Sequence, residues 1–208
     1  LHRALDLDGA TNDSSTLLAI VRARGPQKLA GDLSNLQSPV TTATLEAAIQ
    51  CLHEPATPQD ALIFLSRVVL EPQAEHLASS WETGQPAVAG NRCPICGSLP
   101  QLAVLRQEGD GGKRRLLCAL CHTEWDFRRV LCPACGEENH EKLPRYTAEG
   151  IPAVRVEACD TCRGYLKSVD LTIDGLAVPL VDEVAAAPLD LWAAERDYRK
   201  IVPNIMGF

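Results

Sequence analysis

The sequence has no apolar run long enough to span a bilayer: uninterrupted stretches such as 61–65 and 176–181 fall far short of the roughly 18 residues that a spanning helix requires. Stable membrane insertion is therefore not expected. A secretory signal is also missing, because residues 1–10 mix His2, Arg3, Asp6 and Asp8 with scattered apolar side chains. The first residue is Leu rather than Met, which leaves the true start open. There is no basic surplus either: 20 Lys and Arg stand against 27 Asp and Glu, a formal charge of -7. No Ser/His/Asp order, phosphate loop or H-E-x-x-H occurs, so neither an active site nor a small-molecule substrate is expected. Low-complexity tracts are absent.

Cysteine, by contrast, is plentiful. Nine are present, and eight fall in four C-x-x-C pairs. Without an export signal the chain is placed in the cytoplasm, a reducing compartment where paired thiols more often bind metal or do redox chemistry than form disulfides. Metal ligation requires thiolates, and eight of them with two divalent ions would move the net charge to about -11. Such a molecule repels a phosphate backbone on average, which disfavours nucleic acid as a partner. The cysteine-rich half is no basic platform: residues 91–170 hold 12 Lys and Arg against 11 Asp and Glu.

Residues 1–88 read as a helical domain. Thr11-Asn12-Asp13-Ser14-Ser15 and Gly25-Pro26 break any early period, leaving a short helix over 16–24. From Thr42, the apolar Leu45, Ala48, Ile49 and Leu52 recur on one helical face, and Pro55 and Pro58 end it. Residues 59–70 supply a second helix, and Pro72 suits the first turn of a third that reaches about Trp81. Thr83-Gly84-Gln85-Pro86 and Ala89-Gly90-Asn91 then form a turn-rich linker. Residues 89–208 read as the metal-binding domain, with module one over 91–128, module two over 129–173 and a closing helix over 178–200 drawing on Val184, Leu189, Leu191 and Trp192. Strand candidates flank the glycine turns at 109–112 and 148–150, giving a diverged repeat of C-x-x-C, strand, turn, strand, C-x-x-C, and 164–173 adds another strand. The fold class is α+β: a helical bundle, two tandem rubredoxin-like or zinc-ribbon-like four-cysteine modules, and a C-terminal helix.

The pairs are Cys93/Cys96, Cys118/Cys121, Cys132/Cys135 and Cys159/Cys162. Two intervening residues let both sulfurs of a tight turn face one ion, and two such turns complete a tetrahedron. Spacers of 21 and 23 residues, each able to form a hairpin, favour joining the first turn to the second and the third to the fourth, although spacing does not exclude interleaving. Cys93-Pro94-Ile95-Cys96-Gly97 and Cys132-Pro133-Ala134-Cys135-Gly136 are rubredoxin-type knuckles: proline stiffens the turn, and glycine permits positive φ and brings N–H groups toward sulfur. The other two turns are followed by His122 and Arg163, which leaves their geometry open. Four soft thiolates suit zinc or mononuclear iron alike. Closed sites of this kind rarely catalyse, so a purely structural use stands beside dithiol redox chemistry and, least favoured by the compartment, disulfides.

Other residues signal less. Cys51 reads as a small buried hydrophobe. His122 and His140 are candidate ligands, but eight cysteines already fill two sites. Lys113-Arg114-Arg115 and Arg128-Arg129 offer contacts to an acidic partner, against which stands an ordinary solvated face.

The motif Cys93-Pro94-Ile95-Cys96-Gly97-Ser98-Leu99-Pro100, then Cys118-Ala119-Leu120-Cys121-His122-Thr123-Glu124-Trp125, Arg129-Val130-Leu131-Cys132, and Glu157-Ala158-Cys159-Asp160-Thr161-Cys162 with Tyr165-Leu166-Lys167, resembles the bacterial formate dehydrogenase accessory proteins called FdhE. The resemblance covers about 110 residues. Arg163, where glycine is expected after the last cysteine, and Asp197 depart from it. It implies a cytoplasmic maturation factor for respiratory formate dehydrogenase, a molybdenum or tungsten enzyme whose catalytic subunit is exported folded. It further implies two metal ions, iron by family expectation or else zinc, held by the eight paired cysteines; contact with that catalytic subunit; and no catalysis of its own. Partner roles for Glu124, Trp125, Arg129 or Tyr165 are open. The alternatives are an electron-transfer or thiol-redox protein using the same sites and, further off, a zinc-ribbon nucleic-acid binder.

Overall fold

Helix begins earlier in the chain than its apolar period suggests. In the computed structural model, which describes residues 1–34, 40–54, 61–80, 90–109 and 111–207, α1 spans Leu7–Arg24 and runs straight through the polar stretch 11–15. Thr11, Ser14, Ser15 and Thr16 each turn a hydroxyl back onto the carbonyl four residues earlier, at 2.8, 2.7, 3.1 and 3.3 Å. Side chains that compete with the helix elsewhere are thereby satisfied within it. Asp6 caps the start through the Gly9 N–H at 2.9 Å. A second helix, α2 (Gln27–Ser34), follows Gly25-Pro26 and has no clear signal in sequence.

α3 (Thr42–Cys51) forms where its period predicts, opened by a capping box between Thr41 and Thr44, with Leu45, Ala48 and Ile49 buried. The two helices expected over 59–81 are one: α4 spans Ala61–Ser79 and contains Pro72. Proline at that place removes one helical donor. Leu65 and Leu70 before it and Ala74 and Ala78 after it are all buried, so packing on both sides carries the helix across the gap. Pro55, Pro58, Trp81, the linker 83–89 and Asp110 lie outside the described residues.

Beyond the helices the repeat becomes visible as topology. β1 (Pro100–Glu108), β2 (Gly111–Cys118) and β3 (Glu124–Asp126) form one antiparallel meander, and β4 (Arg145–Thr147), β5 (Val154–Ala158) and β6 (Gly164–Asp170) form another. The two join head to tail, β1 pairing with β6 in parallel from Leu102↔Lys167 to Leu105↔Asp170. One sheet of order β3-β2-β1-β6-β5-β4 results, with β7 (Arg199–Lys200) added beside the start of β6. The closing helix is present as two short ones, α5 (Pro179–Ala185) and α6 (Ala187–Ala194), because Pro188 permits a new helix start but not an unbroken run.

The last residues act as a strap over this assembly. Lys167, Lys200, Glu183, Asp190 and Asn204 are buried together: the Lys200 ammonium meets Glu183, Lys167 lies 2.5 Å from Asp190, and Asn204 donates to Glu183 at 2.9 Å. A few residues away, the Arg67 guanidinium of α4 donates to the Pro203 carbonyl at 2.8 Å, to Gln101 at 2.9 Å and to Glu71 at 2.5 Å. Burial pushes the Glu71 carboxyl above its ordinary pKa, although Arg67 opposes this. Arg67→Ala removes the guanidinium from that buried carboxyl and is expected to cost about 3–5 kcal/mol in a denaturant titration of the metal-loaded chain, whereas Arg128→Ala, at an exposed pair with Glu138, should barely move the midpoint.

Candidate metal centres

All four C-x-x-C turns adopt the same local shape. Gly97 and Gly136 sit at φ 76° and 77°, and their N–H groups donate back to Cys93 and Cys132 at 2.9 and 3.0 Å. His122 and Arg163, whose side chains gave no reason to expect it, stand at φ 53° and 58° in the equivalent places. A left-handed conformation costs a non-glycine residue roughly 1–2 kcal/mol, and both side chains make compensating contacts. His122 lies 3.4 Å from Glu75 and 3.8 Å from Glu71 of α4. Arg163 stacks on Tyr198 at 3.9 Å and donates to the Arg196 carbonyl. Asp197, the other departure noted in sequence, is itself left-handed at φ 59°.

These turns bring the eight cysteines into two sets, Cys93, Cys96, Cys118 and Cys121 in the first and Cys132, Cys135, Cys159 and Cys162 in the second, with all sulfurs of a set within 4.8 Å of one another. None of the nine cysteines is in a disulfide. An ion about 2.3 Å from each of four tetrahedral sulfurs holds them about 3.8 Å apart. In the second set Cys132–Cys162 and Cys135–Cys159 measure 3.8 and 3.7 Å; in the first, Cys96–Cys118, Cys93–Cys121 and Cys121–Cys96 measure 3.2, 3.5 and 3.6 Å. The donor set and its spacing fit a tetrahedral thiolate site for one soft ion each, and they do not distinguish iron from zinc.

Charge leads to the same reading. Burial raises the Cys118 thiol well above its ordinary pKa, raises Cys132 likewise, and pushes Cys162 up to about 11. Sulfurs this close take full thiolate charge together only around a cation. Backbone and hydroxyl donors help, with the Leu120 N–H 3.3 Å from Cys118, the Gly164 N–H 3.4 Å from Cys162 and Thr123 Oγ1 3.1 Å from Cys121. Arg114, Arg129 and Arg145 stand with Cys132, Cys159 and Glu157 around one small cavity behind the second set.

The remaining sequence candidates sit elsewhere. His140 is exposed in a single 3-10 turn. Trp125 is buried and donates to the Gly90 carbonyl at 3.1 Å, Glu124 is paired with Arg106, and Tyr165 is buried against Asp190. Lys113 and Arg115 share Asp126 across β2 and β3. Arg114 is buried, 2.8 Å from Glu157, which makes it a bridge between the two meanders rather than part of a basic surface. Sequence reasoning missed this bridge and also Arg67, whose only signal is a lone cation on the apolar face of α4.

A helical layer beside two tandem four-cysteine modules, each set of sulfurs spaced for one ion, defines an α+β chain with paired rubredoxin-like or zinc-ribbon-like modules. It belongs to the FdhE family. Residues 92–129 match the model of the FdhE central domain and 130–206 that of the FdhE C-terminal domain. The FdhE homologue of Aquifex aeolicus is 31% identical over 193 residues, which cover 92% of this chain and 68% of that relative. The homologue of Pseudomonas aeruginosa is 39% identical over 119 residues, or 55% of this chain but 38% of the relative's length. The crystal structure of the FdhE protein from Pseudomonas aeruginosa aligns with a TM-score of 0.71 at 28% identity, covering 97% of this chain and 74% of that one.

The site and its supports generate two expectations. Gly136→Ala places a methyl group in open space but at φ 77°, so it should destabilise the loaded chain by about 1–2 kcal/mol with two ions still bound on metal analysis. Glu157 is the pH-sensitive support: burial raises its pKa, but Arg114, Arg155 and Arg145 outweigh that and hold it below 4.5. Its contribution is therefore complete above the unfolded carboxyl's pKa and is lost as the pH falls through that value toward the folded one. Unfolding free energies measured from pH 6 down to pH 3 should consequently fall less steeply for Glu157→Gln than for the unaltered chain.

Proposed function

We propose that this chain is an accessory protein in the maturation of a respiratory formate dehydrogenase, binding the catalytic subunit of that enzyme in the cytoplasm. In this reading each of the eight paired cysteines is a metal ligand, and iron or zinc occupies each set. Residues 1–88 serve as a helical domain and 89–208 as the metal-binding domain. The chain is a binding and assembly protein, not a catalyst.

The observation that carries the reading is the spacing of the sulfurs, four by four, in a member of the FdhE family. A site closed by four cysteines offers no position for a substrate, which supports a role in recognition or in holding the fold. No helix among the described residues is long and apolar enough to cross a membrane. The exposure of Cys135 favours a second reading, electron transfer through the second set, in which a thiolate-bound iron would change oxidation state.

Metal analysis of protein purified without oxygen should return two ions per chain, with an absorption spectrum separating coloured ferric thiolate from colourless zinc. Tagged protein should retain a formate dehydrogenase catalytic subunit through anaerobic purification. Repeated absence of that subunit, with both ions in place, would remove the maturation role; a reversible one-electron signal would favour the second reading, and firmly held zinc would exclude it.

A further inference from the structure

The two sets of sulfurs have the same local geometry but opposite surroundings. In the first, Cys93, Cys96, Cys118 and Cys121 are 3%, 7%, 0% and 2% exposed. The helical layer closes over them through backbone as well as side chains: Leu99 N–H donates to the Leu52 carbonyl at the end of α3, and Arg67 of α4 donates to the Ala119 carbonyl at 3.3 Å, while the Ala119 N–H joins the two knuckles through the Leu99 carbonyl. His122 adds its contacts to Glu71 and Glu75. To reach these sulfurs, the end of α3 must part from the first knuckle and α4 from the second.

The second set is covered on one side only. Cys132 and Cys159 are buried against the sheet, while Cys162 is half-buried and Cys135 is exposed. Cys135 is also reached from two directions. It borders a cleft of about 720 Å³ with Phe127, Leu131 and Ala134 and another of about 270 Å³ with Cys162, Arg199, Lys200 and Ile201.

We infer that the second set is the exchange centre of the molecule, through which a soft donor such as a thiolate exchanges metal with the chain, and that the first set is a fixed keystone. This rests on both sets holding metal, as proposed above. The step is ligand substitution without change of oxidation state. The incoming thiolate bonds to the ion as the bond from Cys135 Sγ breaks, and the released Cys135 thiolate takes a proton from solvent. Burial forbids the same attack on the first set unless the chain opens locally, and local opening in a packed region carries a free energy that exposed edges do not.

The test uses the full chain loaded with zinc and an excess of a chromogenic chelator. Two release phases are expected, one ion each, with the slower at least roughly tenfold behind. N-ethylmaleimide present during release should label Cys135 and Cys162 in the fast phase and Cys118 and Cys121 only in the slow one, as mapped by peptide mass. Cys135→Ser should abolish or accelerate the fast phase and leave the slow one unchanged, and the mapping decides the matter even where that variant folds poorly. A single phase, or labelling in the reverse order, overturns the inference. A chain that binds no zinc at all overturns the metal reading on which it rests.

Discussion

Four sulfurs held within 4.8 Å of one another are an electrostatic problem before they are a site. Each thiolate added to such a set raises the cost of the next, and burial raises the cost of all. A central cation removes that conflict, and the free energy released on binding is then folding free energy for every segment that must converge to form the set. This constraint organises the rest of the chain. It explains why both hairpins start and end at knuckles, and why four turns converge on one backbone shape. His122 and Arg163 hold positive φ in the same turn shape as the two glycines, and their side chains are anchored elsewhere.

The repeat solves a second problem. A three-stranded meander with one knuckle before its first strand and another before its third has little core of its own, and each copy leaves sheet edges unpaired. Joining β1 to β6 in parallel covers one edge of each copy at once. The joint is then fixed by charge: Arg114 from the first meander reaches Glu157 in the second, with Arg155 linking Glu157 to Asp170. Hydrophobic packing continues past the joint, in one cluster that includes Leu65 of α4, all four cysteines of the first set, Leu166 and Ile201, with Ala134 against it. The helical layer and both modules are therefore tied to one another through the first set.

What could be read from the sequence follows from range. Local signals were sufficient for α3, whose apolar period and Thr41 cap lie within a dozen residues, for the strands beside the glycine turns, and for grouping the sulfurs by hairpin spacing. Signals failed where tertiary contacts decided. The hydroxyls of 11–15 read as a break but fold back into α1, and Pro72 reads as a start but lies inside α4 because buried residues flank it on both sides. β3 and β7 are three and two residues long and exist only because a neighbouring strand is waiting. The difference in cover between the two sets is equally invisible in their motifs. Cys93-Pro94-Ile95-Cys96-Gly97 and Cys132-Pro133-Ala134-Cys135-Gly136 are nearly the same text, and what separates them is that α3 and α4 fold back onto only one.

The strap of C-terminal residues shows why buried charge persists in so acidic a chain. Two lysines and two carboxylates sealed between β6, β7, α5 and α6 contribute little net stability, since apolar residues of similar volume often do as well or better. Direction is what they supply. A hydrophobic patch would accept the tail in several registers, whereas Lys200 must meet Glu183, and Asn204 must meet it too. Register fixed there places Pro203 under Arg67, and Arg67 in turn holds the Ala119 carbonyl beside Cys118. The same strap passes the second set, where Ile201 N–H donates to the Tyr165 carbonyl and Arg199 N–H to the Arg163 carbonyl just beyond Cys162. One short segment thus touches the surroundings of both centres, so a change in packing at the exposed set has a continuous covalent and hydrogen-bonded route to the cover of the buried one.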